Sequence, residues 1–170
     1  EARHKAKLGM KIAIREGSAA KNFDALIDLL DEYPDQIMFC SDDKHPDSLL
    51  EGHINQLAAR AVRKGKDLFQ VLRACCITPV KHYNLDVGLL KPNDAADFIV
   101  VEDLINFNVL ETYISGELVA KEGKTKISPV TCSPINNFNT NKVKAKDFEL
   151  IHEGGKAKVI QALDSQLITS

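Results

Sequence analysis

Long apolar runs are missing from this sequence of 170 residues. Runs such as Phe98 to Val101 and Ile37 to Cys40 fall far short of the roughly 20 residues that span a bilayer, so no membrane segment is expected. Clusters of Lys and Arg are missing too. Twenty-two basic residues stand against 24 acidic ones for a net charge of −2. Without a basic run to displace counterions, no nucleic-acid partner is expected. The four cysteines, two of them adjacent (Cys75 and Cys76), make a poor disulfide framework. Glu1 to Lys7 is charged and has no apolar stretch of the signal-peptide kind, so a reducing cytoplasm is the expected setting. There is no internal repeat. There is also no initial Met: helix-like residues lead from Glu1 straight into a strand-like run, and a piece of a longer protein is expected.

What is present has the balance of a globular protein, 44% hydrophobic and 27% charged. The length suits one domain or two small ones. Met10 to Ile14 is a short apolar run between Gly9 and the charged pair Arg15-Glu16, the pattern of a buried strand with a polar mouth. Asn22 is placed to cap a helix in which Phe23, Leu26, Ile27 and Leu30 share one face and Pro34 ends the pattern. Ile37 to Cys40 reads as a second buried strand that runs into Ser41-Asp42-Asp43-Lys44-His45-Pro46. Pro46 suits a first helical turn. Leu50, Ile54, Leu57, Ala58 and Ala61 then fall on one helical face that stops near Gly65, and Asp67 can cap a further helix with Leu68, Val71, Leu72 and Cys75 inward.

Strand, helix, strand, helix, helix is the order of parallel crossover units, which bring consecutive strands to the same edge with their C-terminal ends together. Arg15-Glu16-Gly17-Ser18 and Ser41-Asp42-Asp43 fall at those ends, where βα enzymes build their sites. After Tyr83 the texture turns to short strands at Val87 to Leu90, Phe98 to Val101, Val109 to Ile114 and Glu117 to Ala120, with a Ser115-Gly116 turn. The segment 128–141 reads as a polar linker, and Phe148, Leu150, Val159, Leu163 and Leu167 punctuate a tail of no clear fold.

Asp42 is the most informative position. A carboxylate at the mouth of an apolar strand must meet solvent, bind a cation or act as a base; equally, Asp42 or Asp43 could cap the helix that begins near Pro46. Arg15 and Glu16 could form a rim salt bridge, and Gly17-Ser18 a turn. His45 and His53 have no compact zinc-motif spacing, and His53 reads as a helix-face residue. Cys75 and Cys76 read as small hydrophobes, and Gly154-Gly155 as a turn rather than a phosphate cradle.

Four runs together resemble the adenine deaminases of the amidohydrolase superfamily: GMKIAIREGSAAKN (Gly9 to Asn22), MFCSDDKHPDSLLEGHIN (Met38 to Asn55), ITPVKHYNLDVGLL (Ile77 to Leu90) and AADFIVVEDLINFNVLETYISGELVAKEGK (Ala95 to Lys124). The strand-end aspartate and the ADFIVV strand carry the superfamily likeness, and REGSAA and SDDKHPD narrow it. The resemblance implies an α/β fold: the last βα units of a (β/α)8 TIM-type barrel over 1–83, part of a β-sandwich over 84–127, and over 128–170 a linker and the start of the family's C-terminal region. It implies metal-dependent hydrolytic deamination of adenine to hypoxanthine and ammonia, in a homo-oligomer, with a binuclear centre of Mn2+, Fe2+ or Zn2+. By motif, Asp42 would be a metal ligand and the catalytic proton carrier. Glu16 and Ser18 would face the purine or support its pocket, and Asp43 and His45 would hold Asp42 in place.

The family's His-x-His pair occurs nowhere here, one aspartate cannot hold a metal pair, and a barrel takes about 250 residues. The expectation is therefore a fragment, inactive and metal-free alone. Two other readings stay open: an amidohydrolase acting on another cyclic amide or amine, and a non-catalytic α/β binding domain in which Asp42 only caps a helix.

Overall fold

The computed structural model describes residues 1–163 and Thr169; the tail position Leu167 lies outside the described residues. After helix α1 (Ala2–Lys7), strands β1 (Ile12–Arg15) and β2 (Ile37–Cys40) pair in parallel, Ile12 opposite Ile37 and Arg15 opposite Cys40. Their polar ends therefore emerge side by side. Ile14 and Ile37 are fully buried, and Met38 and Phe39 nearly so, as a strand pair covered on both faces requires.

The crossover between the strands is less regular than its periodicity suggests. Two single turns, α2 (Phe23–Leu26) and α3 (Leu29–Glu32), replace one helix. Asn22 does not cap with its side chain, because its Oδ1 accepts the Arg15 N–H at 2.8 Å. Phe23, Ile27, Leu29 and Leu30 are nevertheless buried, so the apolar face survives the break.

Beyond β2, the helix expected through Leu50 and Ala61 is two helices, α4 (Pro46–Glu51) and α5 (Ile54–Arg63). Gly52 divides them at φ +152°, where an added Cβ would lie 2.4 Å from the Gln56 side chain. Leu50 consequently points outward at 91% exposure, while Leu57, Ala58 and Ala61 reach the core. Helix α6 (Leu68–Leu72) is capped as its sequence indicates, Asp67 Oδ1 accepting the Gln70 N–H at 3.0 Å. A π turn (Arg73–Ile77) carries the chain into α7 (Thr78–Tyr83).

The second half is an antiparallel meander in the order β3 (Phe98–Val101), β4 (Val109–Ile114), β5 (Glu117–Lys121), β6 (Lys124–Thr125). Ser115 and Gly116, both at positive φ, turn β4 into β5. The strand expected at Val87 to Leu90 does not form. Carboxylates take its amides instead, Asp97 Oδ2 from Gly88 at 2.8 Å and Asp94 Oδ2 from Leu89 at 2.9 Å. Phe107 joins the halves: its ring is buried in the core of the first half, and its carbonyl accepts from Asn55 Nδ2 at 3.2 Å. Past β6 the described residues hold one short 3-10 turn, Ala145–Phe148. The architecture is a mixed α/β one, and among the described residues no helix is long and apolar enough to cross a membrane.

Candidate functional site

The parallel register places the loop after β1 beside the loop after β2, and side chains stitch them together. Arg15 Nη1 donates to Asp42 Oδ2 at 2.6 Å. Ser18 Oγ accepts the His45 main-chain N–H at 2.9 Å, and Asp43 Oδ2 accepts the Ala19 N–H at 3.2 Å. Gly17 makes this approach possible, since a Cβ there would stand 1.8 Å from Asp43 Oδ1. All five residues picked out by motif, Glu16, Ser18, Asp42, Asp43 and His45, thus belong to one strand-end assembly.

Their placements differ from the local expectations in three ways. Neither Asp42 nor Asp43 caps the helix at Pro46; His45 occupies that position and makes no side-chain cap. Arg15 and Glu16 do not pair with each other, because side chains of adjacent strand residues leave on opposite faces; Arg15 turns to Asp42 and Glu16 to Arg60. His45 ties the loops through its backbone rather than its ring. His53, expected on a helix face, sits at the position before α5, where desolvation and then the nearby Lys44 charge hold its pKa below the ordinary histidine value.

Asp42 adopts φ +50°, in the left-handed region that Asp tolerates better than most residues. Its carboxylate is about one-third exposed at 35%, open to a ligand. Glu16 is more enclosed, with a side chain only 16% exposed and both oxygens bonded: Oε2 to Arg60 Nη1 at 3.0 Å and Oε1 to the Phe23 N–H at 3.2 Å. Beside it lies a polar cleft of about 340 Å³, lined by Glu16, Gly17, Ser18, Lys21, Lys44 and Gln56 among others. Asp42 is at the neighbouring rim rather than in the cleft wall.

Asp42 has the chemistry of one ligand to a hard divalent cation, an oxygen donor at a strand end. A set is another matter. Among the described residues no three His, Cys, Asp or Glu side chains converge as a metal site requires. The cysteines do not supply one: all four are free thiols, and burial pushes the Cys75 thiol well above its usual value. Sequence spacing could not single out Arg60, which lies 44 residues from its partner Glu16.

Comparison with known proteins fits this geometry. The adenine deaminase of Salinibacter ruber is 58% identical over 99% of this chain and 31% of its own length. That of Sulfurovum sp. is 52% identical over 99% of this chain and 32% of its own. The chain therefore spans about a third of the length of the curated relatives it matches. A crystal structure of β-aspartyl dipeptidase from Fervidobacterium islandicum AW-1 superposes with a TM-score of 0.59 at 21% identity, covering 76% of this chain and 36% of the other, a likeness of fold alone. The amidohydrolase family model aligns with residues 2–119, from α1 through the β4–β5 hairpin, and the chain belongs to the amidohydrolase family.

Proposed function

We propose that this chain is a segment of an adenine deaminase, in which the ends of β1 and β2 form part of the purine site and its metal centre. The observation that carries the reading is the joined pair of loops. REGSA and SDDKH, the two motifs that narrow the resemblance to adenine deaminases, lie in direct contact, bonded Arg15 to Asp42, Ala19 to Asp43 and His45 to Ser18. The names of relatives at 46–58% identity over nearly the whole chain support the same substrate.

In this reading β1 and β2 are the last barrel strands, and the meander is the returning part of a β-sandwich. The amidohydrolase family generally uses divalent metals. Asp42 is the carboxylate this segment contributes; the other ligands come from elsewhere in the longer protein, and Mn2+, Fe2+ or Zn2+ suits an oxygen-and-imidazole set. A divalent metal held there would supply hydroxide at neutral pH. Asp42 would take a proton from the water whose oxygen bonds to the amine-bearing ring carbon and return it to the exocyclic nitrogen as the carbon–nitrogen bond breaks, releasing ammonia. Arg15 orients that carboxylate from one side. Ser18, which accepts from His45, keeps its own hydroxyl proton to offer a ring nitrogen, and Glu16 shapes the wall beside it. Asp43 and the His45 backbone hold the Asp42 loop. The whole protein works as a homo-oligomer in a reducing cytoplasm, where its thiols stay free.

Substitution of Asp42→Asn in the full-length protein tests the assignment. Turnover of adenine falls by about 10³-fold or more with the melting temperature nearly unchanged, since the lost group acts in the transition state rather than in the fold. A merely structural role, in which Asp42 only pairs with Arg15, instead lowers the melting temperature and spares turnover. Wild-type protein that leaves adenine intact while hydrolysing another cyclic amide or amine overturns the substrate.

A further inference from the structure

Glu16 is a charged group with little access to water, and a buried carboxylate persists only when its partners are in place. Its partners are the Phe23 N–H and Arg60. Arg60, on α5, is itself held on three sides. One guanidinium nitrogen binds Glu16, the other binds Asp24, and Cζ lies 4.2 Å over the centre of the Phe23 ring. Phe23 is fully buried, so Arg60 stands on a fixed platform.

We propose that Arg60 is a positioning residue of the deaminase site: it fixes Glu16 as a strut that sets the REGSA loop, and so the cleft wall that meets the purine. The role rests on the reading given under Proposed function. Each Glu16 oxygen already accepts a bond from the protein, which makes the side chain a support rather than a free base or the purine's main acceptor. The loop it supports closes on itself through Gly17 N–H to Ala20 O at 3.0 Å. It passes the constraint on through Ser18 Oγ to His45 N in the Asp42 loop. Lysine cannot replace arginine here, because one ammonium cannot bind two separate carboxylates while its flat face covers an aromatic ring. The wall moves more than Asp42 does, because Asp42 keeps its own bond to Arg15.

The experiment is steady-state kinetics of the metal-loaded full-length protein with adenine, for Arg60→Lys, Glu16→Gln and the double variant, alongside Lys66→Met. Lys66, in the turn between α5 and α6, ties Asp28 and Asp31 of the crossover and does not line the cleft. Arg60→Lys raises KM by about tenfold and changes kcat by less than about threefold, the split expected when binding geometry rather than the proton carrier is disturbed. The double variant is no worse than the poorer single one, because both remove the same strut. Lys66→Met lowers the melting temperature and leaves KM unchanged, separating a stability effect from a positional one. If Arg60→Lys behaves like Lys66→Met, or if the effects of Arg60→Lys and Glu16→Gln simply multiply, the positioning role is wrong. A wild-type protein without adenine turnover overturns the underlying assignment, and the role with it.

Discussion

Strand β2 (Ile-Met-Phe-Cys) of one sheet and strand β3 (Phe-Ile-Val-Val) of the other are equally short and equally apolar, yet only the first is buried. In β1 and β2 the side chains are buried at Ile12, Ile14, Ile37, Met38 and Phe39. In β3 to β6 no residue is fully buried, and Ile99, Val100, Val109, Leu110 and Ile114 all stand exposed. The parallel pair is enclosed because its crossover and the helices after it fold back over it. The meander closes its backbone bonds by hairpins alone, and a two-sided apolar sheet without a covering layer is unfinished. Strand formation and strand burial are separate achievements: the first is settled by a neighbour in sequence, the second by a layer that the described residues do not provide for the meander.

The comparison breaks most visibly under truncation of the core. Phe23→Ala removes a fully buried ring that packs 6.1 Å from Phe39 and under Arg60, and denaturant unfolding registers a loss of about 3–5 kcal/mol. Ile99→Ala in the meander, where the side chain is half exposed, costs less than about 1 kcal/mol in the 170-residue chain. In the full-length protein the same change costs several times more if the sheet gains its cover there. Equal costs in both settings would mean that the meander remains bare.

Hydrogen exchange sharpens the contrast without mutation. Amides of Ile14 and Phe39 exchange more slowly than those of Thr112 and Ala120, because opening the meander exposes little that was hidden. Similar protection in both sheets would refute the difference.

Acid provides a finer probe of one attachment of the meander to the segment before it. Asp97 accepts the N–H groups of Gly88 and Ser115, which hold its carboxyl below the usual value of 3.8. A depressed folded value stabilises above the unfolded one and the benefit disappears as pH falls through the folded value. Acidification below pH 3.8 therefore loosens this junction, seen as faster exchange of the Gly88 and Ser115 amides, and Asp97→Asn abolishes that pH dependence. The smallest effect is chemical. Alkylation labels the exposed Cys132 first and Cys75 last, since burial keeps the Cys75 thiol protonated; early labelling of Cys75 would show its helix opening.

Much of this was legible from local pattern. The strands at Ile37 to Cys40, Phe98 to Val101 and Val109 to Ile114, the Asp67 cap and the Ser115-Gly116 turn depend on neighbours in the chain, and all stand where the residues indicate. The failures occur where a distant partner outbids a local one. Asn22 leaves its helix to bind Arg15, Asp42 forgoes a cap for the same residue, and the amides of Gly88 and Leu89 go to carboxylates instead of a strand. Of the candidate site, the five motif positions could be named from the sequence. Arg15 could be named only as a partner for the wrong residue, and Arg60 not at all.

By itself, then, the sequence determined which segments alternate, where apolar strands open into polar mouths, and through REGSA and SDDKH which family the chain resembles. Only the tertiary structure decided that the two mouths adjoin, that Arg15 faces Asp42, and that Glu16 is held by a helix 44 residues away. The reason is range. Periodicity and turn chemistry act over a few residues, while a charged group turned away from water takes whichever opposite charge the completed packing brings within about 3 Å.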